Sequence, residues 1–284
     1  MSFTIVHPGL YDTLQDKGRP LMTGSGIPQS GAMDDYLMGM ANLLVGKPQN
    51  AACIEIFSFG PKLYFEQDTQ IAVTALAADL YLNNQKININ EALWAYEGDE
   101  LLIKQVTQGN FAYLAVLGDI QSEAIAGSQS FHKSVTGYQR LEKGMAFRVD
   151  QSEVSSFDKA HAHIKIDIDA YKTKRIRVIK GPNFNQLSTD AQYQLLHNNW
   201  LIGDNITRMG FQLKDRIHHE LDDILTAMVV PGTVQLNHAG NLMILMKDAQ
   251  TTGGYPRVLQ VLEEDLNQLA QKQVGSPIRF ELVD

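Results

Sequence analysis

The sequence predicts a mainly β protein with a few short helices, and three of its features support this prediction. Short runs of β-branched and aromatic residues recur along the chain, as is typical of strands. Turn-forming residues separate many of these runs, as in Glu97-Gly98-Asp99, Gly109-Asn110 and Pro231-Gly232. Long stretches with helical periodicity are rare.

The predicted strands are short and extend over most of the chain. In order, they are residues 71–75, 101–103, 111–117, 145–149, 164–168, 175–179, 228–236, 242–246, 258–262 and 278–283. The hydrophobic pattern also predicts three helices, at residues 34–45, 188–197 and 263–271. The first is the best defined, because Asp34 stands at the N-cap position and Gly46-Lys47-Pro48 would end it. Helices beside turns favour lids on barrels over βαβ crossovers.

A polar stretch between Gln151 and Lys174 is the predicted boundary between two domains, because Ser, Asp, Lys and His are concentrated there. A weak internal repeat suggests two similar halves, since Gly60-Pro61 and Gly181-Pro182 each lie beside a predicted strand. We place the boundary near residue 168, which gives domains of residues 1–168 and 169–284.

The composition argues against several classes of protein. The 24 Lys and Arg against 32 Asp and Glu give a formal net charge of −8, without a basic run, so nucleic acid is not expected as a partner. No apolar run reaches the roughly 18 residues that span a bilayer. The N-terminal residues lack the pattern of a secretion signal, so we expect a cytoplasmic protein without membrane contact. The single cysteine, Cys53, lies in an apolar run, which favours a core residue over a nucleophile.

Residues 14–34 form the first candidate binding segment, in which glycines would let the backbone approach a ligand. Arg19 offers a planar fork for a carboxylate or a phosphate. Gln15, Asp16 and Asp34 offer further polar groups. The segment could instead be a structural loop in which Asp16 pairs with Arg19 and Asp34 caps the helix. We favour the cap for Asp34 and leave both interpretations of Arg19 open.

Residues 247–257 form the second candidate segment, and they follow a strongly apolar predicted strand, where loops commonly display binding groups. Its side chains and glycine amides could together hold a planar polar ligand such as an amide, a ureide or a carboxylate. These groups belong to Asp248, Gln250, Thr251, Thr252, Gly253 and Gly254, followed by Tyr255. The alternative is a wide hairpin whose glycines serve a bulge, but the density of polar groups favours a site.

Arg208 lies in a third glycine-containing turn, and two interpretations of it stay open. Its guanidinium could clamp an anion, or it could pair at the surface with Asp204 or Asp215.

Several motifs of cofactor chemistry are missing from the sequence. Two close pairs of histidines, at residues 161 and 163 and at residues 218 and 219, lack a companion set at metal-ligand spacing, so no metal is expected. The chain has no phosphate-binding loop and no biotin attachment site. ATP or biotin chemistry would therefore involve another polypeptide.

Seven motifs occur in the order typical of one family. They are Gln15-Asp16-Lys17-Gly18-Arg19-Pro20, Gly31-Ala32-Met33-Asp34, Ala41-Asn42-Leu43-Leu44-Val45-Gly46, Gly181-Pro182, Arg208-Met209-Gly210, Pro231-Gly232-Thr233-Val234-Gln235 and Gln250-Thr251-Thr252-Gly253-Gly254-Tyr255-Pro256. They extend over nearly the whole chain. On these motifs the chain resembles the carboxyltransferase-like family, also called allophanate hydrolase subunit 2, whose bacterial members include the C subunit of 5-oxoprolinase.

The resemblance implies a fold, partners and a reaction. The implied fold is two cyclophilin-like β-barrel domains. The implied partners are the B subunit of 5-oxoprolinase, which has a related barrel architecture, and the A subunit of the same enzyme. The implied reaction uses ATP to open the lactam of 5-oxoproline to glutamate, with this chain inactive alone and without covalently attached biotin.

The same resemblance leads to roles for the candidate residues. Asp248, Gln250 and Thr251 would orient the amide and the attacking water as catalytic residues. Arg19 and Arg208 would bind carboxylate or phosphoryl charge. The remaining substrate-binding or anion-binding candidates are Gln15, Asp16, Asp34, Thr252, Gly253, Gly254 and Tyr255.

Two alternatives to the hydrolase remain. One is a regulatory binding protein that antagonises a histidine-kinase inhibitor. The other is the carboxyltransferase component of a biotin-dependent carboxylase acting on urea or an amide. The chain departs from the usual family pattern at residues 213–216 and 236–239, and these departures bear on the identity of the substrate.

Overall fold

A computed structural model describes residues 2–150 and 162–283 of the protein. The chain forms two compact units. The first comprises Met1–Gly18 and Ser30–Ile168, and the second comprises Arg19–Gln29 and Asp169–Asp284.

Twelve strands lie in the described part of the first unit. They are β1 (Phe3–His7), β2 (Thr13–Gln15), β3 (Cys53–Phe57), β4 (Lys62–Phe65), β5 (Thr69–Thr74), β6 (Ala77–Leu82), β7 (Gln85–Ile87), β8 (Ala92–Ala95), β9 (Glu100–Gln108), β10 (Phe111–Val116), β11 (Asp119–Gln121) and β12 (Ala146–Asp150). One sheet has the order β11-β12-β1-β4-β9-β6-β7 and the other β2-β3-β10-β5-β8. Both sheets contribute to one hydrophobic core, for example through Phe3 and Leu63 from the first and Ile54 and Leu114 from the second.

Helix α1 (Asp35–Leu44) covers the second of these sheets. The Asp34 carboxylate accepts the N–H of Leu37 at 3.1 Å, so the predicted N-cap is confirmed. The helix buries Leu37, Ala41 and Leu44. The hydroxyl of Thr74 in β5 donates to the Leu37 carbonyl at 2.7 Å, which fixes the helix on the sheet.

The second unit contains a closed seven-stranded barrel. Its strands and a small ribbon are β13 (Arg175–Lys180), β14 (Trp200–Ile206), β15 (Gly210–Arg216), β16 (Ala227–Met228), β17 (Thr233–Leu236), β18 (Asn241–Leu245), β19 (Thr252–Gly253), β20 (Arg257–Val261) and β21 (Pro277–Leu282). The barrel order is β13-β20-β17-β18-β15-β14-β21, and the parallel pairing of β13 with β21 closes it. Strands β16 and β19 pair only with each other among the described strands.

Short helices complete the architecture. They are α2 (Ile168–Lys172), α3 (Thr189–His197) and α4 (Glu263–Ala270), with short 3₁₀ helices at Pro20–Ser25 and Phe184–Gln186. The mainly β fold class with a barrel and a few short helices is therefore confirmed. None of the helices in the described parts of the chain is long and apolar enough to cross a bilayer.

Two predicted strands need correction. Residues 164–168 form no strand, because Ile166 alone is buried there and the neighbouring His163 makes only an isolated bridge to Glu91 before α2 begins. The predicted strand at 228–236 is divided into β16 and β17. Pro231 lacks an N–H, and Gly232 takes a φ of +87°, so the chain turns between them.

Asp12, in the loop between β1 and β2, is a buried carboxyl group with a perturbed pKa. Its Oδ2 accepts the Gly9 N–H at 2.6 Å. Burial disfavours the charged form and raises the pKa of Asp12 from 3.8 to about 7, although the bond from Gly9 opposes this shift. Between these two pH values the unfolded chain loses the proton and the folded protein keeps it. The group therefore lowers the free energy of unfolding as pH rises through this window.

We expect Asp12→Asn to gain stability relative to the natural protein as pH rises, because the amide cannot ionise. Between pH 5 and 7.5 the difference in free energy of unfolding should shift by about 2 kcal/mol in favour of the variant. Urea unfolding at both pH values measures it. The matched control is Glu123→Gln at an exposed position of the same unit, and identical pH dependence for Asp12→Asn and the natural protein would contradict the prediction.

Candidate functional site

Asp16 of the first candidate segment is a buried acceptor that joins distant parts of the first unit. Its Oδ1 accepts from the hydroxyls of Ser128 at 2.5 Å and Ser130 at 2.7 Å and from the Gly18 N–H at 2.8 Å. Its Oδ2 accepts from the Gln129 N–H at 2.7 Å. Both carboxylate oxygens thus hold the loop of residues 128–130 against the end of β2.

Gln15 holds the turn at Gly31. Its Nε2 donates to the Phe131 carbonyl at 3.2 Å, and its Oε1 accepts the Gly31 N–H at 3.1 Å. Gly31 has a φ of +93°, and a Cβ there would lie 3.0 Å from the backbone of Lys17. Glycine is therefore required at this turn for its backbone conformation and for space.

A buried carboxylate and a buried phenol hold the rest of this motif, and neither was predicted from the sequence. Glu55 Oε2 accepts the Met33 N–H at 2.7 Å and the Tyr113 hydroxyl at 2.8 Å. The Tyr113 oxygen in turn accepts the Asp34 N–H at 2.7 Å. Burial, and next the Glu55 carboxylate, raise the pKa of Tyr113 well above its usual value. The available signal was a carboxylate inside an apolar strand, because such a group needs a buried partner.

Arg19 and Cys53 are both buried. The Arg19 side chain is 1% exposed, and its backbone N–H donates to the Gln29 carbonyl at 2.6 Å, closing the segment that belongs to the second unit. Cys53 is a free, fully buried thiol whose pKa is raised by burial. The prediction that Cys53 is a core residue is confirmed.

Arg208 and Asp248 form a buried two-pronged ion pair in the second unit. Arg208 Nε donates to Asp248 Oδ2 at 2.8 Å, and Nη2 donates to Oδ1 at 2.9 Å. The two side chains are 5% and 10% exposed. The Asp248 N–H also donates to the Arg208 carbonyl at 2.8 Å. Of the two open interpretations, surface pairing with Asp204 or Asp215 does not fit this buried side chain. The pair with Asp248 joins the β14–β15 turn to the loop after β18.

A cavity of about 390 Å³ opens in the same unit, next to the β14–β15 turn. Its walls carry carboxamides from six side chains and apolar groups from three. The lining residues are Asn205, Thr207, Met209, Gly210, Gln212, Gln235, Asn237, Asn241, Met243, Leu245, Gln250 and Tyr255. No Asp, Glu, Lys, Arg or His is among these described residues, so the cavity is polar but uncharged.

Gln235 and Gln250 meet in this cavity. Gln250 Nε2 donates to Gln235 Oε1 at 3.3 Å. Gln235 is 2% exposed, and its Nε2 has no hydrogen-bond partner among the described residues. Gln235 was not among the residues predicted from the sequence, although a polar residue between the buried Val234 and Leu236 is the signal that marks it.

The other predicted residues of the second segment lie along the β16–β19 ribbon. Thr252 and Gly253 form β19, opposite Met228 and Ala227. The Thr251 carbonyl accepts the Val229 N–H at 3.0 Å.

Gly254 and Tyr255 follow the ribbon. The Gly254 carbonyl accepts the Ile224 N–H at 2.8 Å. Tyr255 is 40% exposed and lies edge-on to His238, with 5.8 Å between the ring centres. Of the site residues predicted from sequence, the structure thus brings Gln250 and Tyr255 into the cavity.

One histidine of the 218–219 pair makes structural contacts in the part of the chain that the structure describes. His219 Nε2 contacts the Asn237 carbonyl at 2.8 Å, and its Nδ1 accepts the Leu221 N–H at 3.1 Å. His161 lies outside the described residues. No group of three His, Cys, Asp or Glu side chains suited to a metal occurs among residues 2–150 and 162–283.

A profile of the family described as carboxyltransferase domain, subdomain A and B, matches residues 25–282. The chain belongs to this family. It is 32% identical over 278 residues to the 5-oxoprolinase C subunit of Escherichia coli K12, covering 97% of this chain and 89% of that protein. It is 30% identical over 281 residues to the 5-oxoprolinase C subunit of Haemophilus influenzae, covering 95% and 88%.

A solved structure similar to this carboxyltransferase-family chain belongs to a much longer protein. The crystal structure of the Kluyveromyces lactis urea amidolyase superposes with a TM-score of 0.88 at 25% identity. The alignment covers 100% of this chain and 19% of that enzyme, so the chain spans about a fifth of it.

We expect Asp248→Ala to destabilise this carboxyltransferase-family chain by about 3 kcal/mol, because it leaves the Arg208 charge buried without its carboxylate. Urea unfolding measures the loss. The control, Asp204→Ala on the exposed face of β14, should change stability by less than about 0.5 kcal/mol. Equal stability of the two variants would contradict a structural role for the ion pair.

Proposed function

We propose that this chain is the C subunit of an ATP-dependent 5-oxoprolinase, which converts 5-oxo-L-proline, ATP and water to L-glutamate, ADP and phosphate. The observation that carries the proposal is the cavity lined by six carboxamide side chains. A lactam presents a carbonyl acceptor and an N–H donor in one plane, and a carboxamide offers the complementary donor and acceptor. Identity of 30% or more to two proteins named as the C subunit of 5-oxoprolinase supports the same choice.

The proposed reaction assigns different tasks to the residues of the second segment. Gln250 contacts the lactam and orients it. Asp248 acts as a positioning residue, because both of its carboxylate oxygens already accept from Arg208. In this proposal Thr251, next to Gln250 in the sequence, orients the attacking water.

In this proposal, three polar residues of the first segment hold the protein's own backbone and side chains and do not contact the substrate. Gln15 holds the turn at Gly31, Asp16 holds the loop of residues 128–130, and Asp34 caps α1. Arg19 and Arg208 are the candidates for phosphoryl charge in this proposal.

ATP supplies the driving force by phosphorylating the lactam oxygen, after which one water adds to the ring carbon and the C–N bond breaks to leave a γ-glutamyl phosphate. A second water then hydrolyses this acyl phosphate to glutamate and phosphate. The sequence has no phosphate-binding loop, so we place ATP at a site formed with the B and A subunits. The chain carries no covalently attached biotin in this proposal, acts in the cytoplasm and is inactive alone. Its net charge of −8 fits a small-molecule substrate better than nucleic acid.

A second candidate function is carboxyl transfer to urea or an amide in a biotin-dependent carboxylase. The similarity to the Kluyveromyces lactis urea amidolyase structure favours it. An uncharged carboxamide-lined cavity would accept urea by the same hydrogen-bonding groups.

Co-expression with the B and A subunits, followed by an assay for glutamate release from ATP and 5-oxoproline, tests the proposal. We expect release only when all three chains are present. Stable co-purification without release would contradict it and favour the regulatory binding protein. Carboxylation of urea with a biotin carrier would favour the second candidate.

In the active complex we expect Gln250→Ala to lower kcat/KM for 5-oxoproline about tenfold, which corresponds to the loss of one substrate hydrogen bond. The matched control is Gln194→Ala, which removes an exposed carboxamide on α3 of the same unit. Unchanged kcat/KM in Gln250→Ala would remove this residue from the site.

A further inference from the structure

The carboxamide cavity lacks a cation for the carboxylate of 5-oxoproline. Its described lining residues bear no positive side chain. The buried Arg208 adjoins two of them in sequence, but Asp248 neutralises it with two hydrogen bonds. A carboxylate enclosed among neutral groups loses its hydration without gaining an ion pair, and this is unfavourable.

The neutral part of the same substrate finds complementary groups in the cavity. The side chains of Gln212 and Asn205 line it, and each carboxamide carries both donors and an acceptor. Met209 and Met243 provide apolar surface for ring carbons. The cavity therefore fits a small uncharged ring that carries an amide.

Gln235 provides the buried group that points to a ligand. Its Oε1 already accepts from Gln250, while its Nε2 has no partner among the described residues. A buried donor without an acceptor costs free energy, and an incoming carbonyl would remove that cost. The terminal torsion of glutamine is broad, so its carboxamide can turn towards a ligand in the cavity that it lines.

Gly253 leaves the space that Gln235 uses. A Cβ at this position would lie 2.3 Å from Gln235 Nε2. Because the φ of Gly253 is outside the left-handed region, alanine there would act by displacing the glutamine side chain and not by straining its own backbone.

We propose that this chain recognises only the uncharged amide part of its substrate, through Gln235 and the carboxamides around it, and leaves the carboxylate outside the cavity for a partner protein to bind. This inference rests on the proposed function, which it deepens by dividing substrate recognition between the chains of the complex. It makes Gln235 a specificity-determining residue and Gly253 the residue that keeps it in place.

A ligand-observed NMR titration of the full chain alone tests this division. The probes are 2-pyrrolidone, which has the lactam without the carboxylate, 5-oxo-L-proline, which has both, and L-proline, which lacks the lactam carbonyl. We expect the Kd of 2-pyrrolidone to lie within about threefold of that of 5-oxo-L-proline, and L-proline to bind at least about tenfold more weakly. A Kd for 5-oxo-L-proline at least about tenfold below that of 2-pyrrolidone would overturn the inference.

Variants identify the residues that bind the probe. Gln235→Leu and Gly253→Ala should each raise the Kd of 2-pyrrolidone about tenfold, and Gln194→Ala should leave it unchanged. Gln212→Leu, at a half-buried position of the cavity wall, keeps the test decisive if Gln235→Leu does not fold. Unchanged affinity in the folded cavity variants would overturn the assignment.

The glutamate assay separates this inference from the proposed function. Glutamate release by the three-chain complex, without binding of 2-pyrrolidone to this chain, would overturn the inference and leave the proposed function intact. Binding of 2-pyrrolidone without glutamate release from the complex would support amide recognition and contradict the 5-oxoprolinase assignment.

Discussion

The ion pair between Arg208 and Asp248 is the constraint on which the candidate site depends. It joins the turn after β14 to the loop after β18, and the residues next to Arg208 line the cavity. Because the two charges neutralise each other, both side chains can be buried beneath these loops. The uncharged character of the cavity follows from this pairing as much as from the carboxamides themselves.

The two candidate segments show why a sequence pattern alone does not separate a binding loop from a structural one. Gln15 and Asp16 look like ligand-binding groups among glycines, yet their hydrogen bonds reach Phe131 and Ser128, more than 110 residues away. A buried polar side chain needs a partner whether that partner is a ligand or a distant part of the chain. The local sequence shows that such a side chain needs a hydrogen-bond partner but does not identify that partner.

Local signals predicted the elements that depend on local interactions. The helices at α1, α3 and α4 and most of the later strands were predictable from caps, turns and alternation. Strands β1 to β4, β6 to β8, β11, β14 and β15 were missed. Several of these are short and pair over long range, as in Phe3 with Phe147. Strands β14 and β15 are longer and pair with each other, but Asp204 and Lys214 interrupt their apolar pattern. Glu55 and Gln235 were missed because their partners Met33 and Gln250 lie in loops 22 and 15 residues away, beyond the reach of a local pattern.

The β17–β18 hairpin carries a consequence for the evolution of this fold. Asn237 and Asn241 at its tip both line the cavity, while Val234 and Ile244 in its stem are paired in the buried barrel wall. Gly240, with a φ of +80°, lets the chain reverse between β17 and β18. Ligand preference can therefore change by exchange of a few tip residues, with the barrel serving as a constant frame for related chemistries.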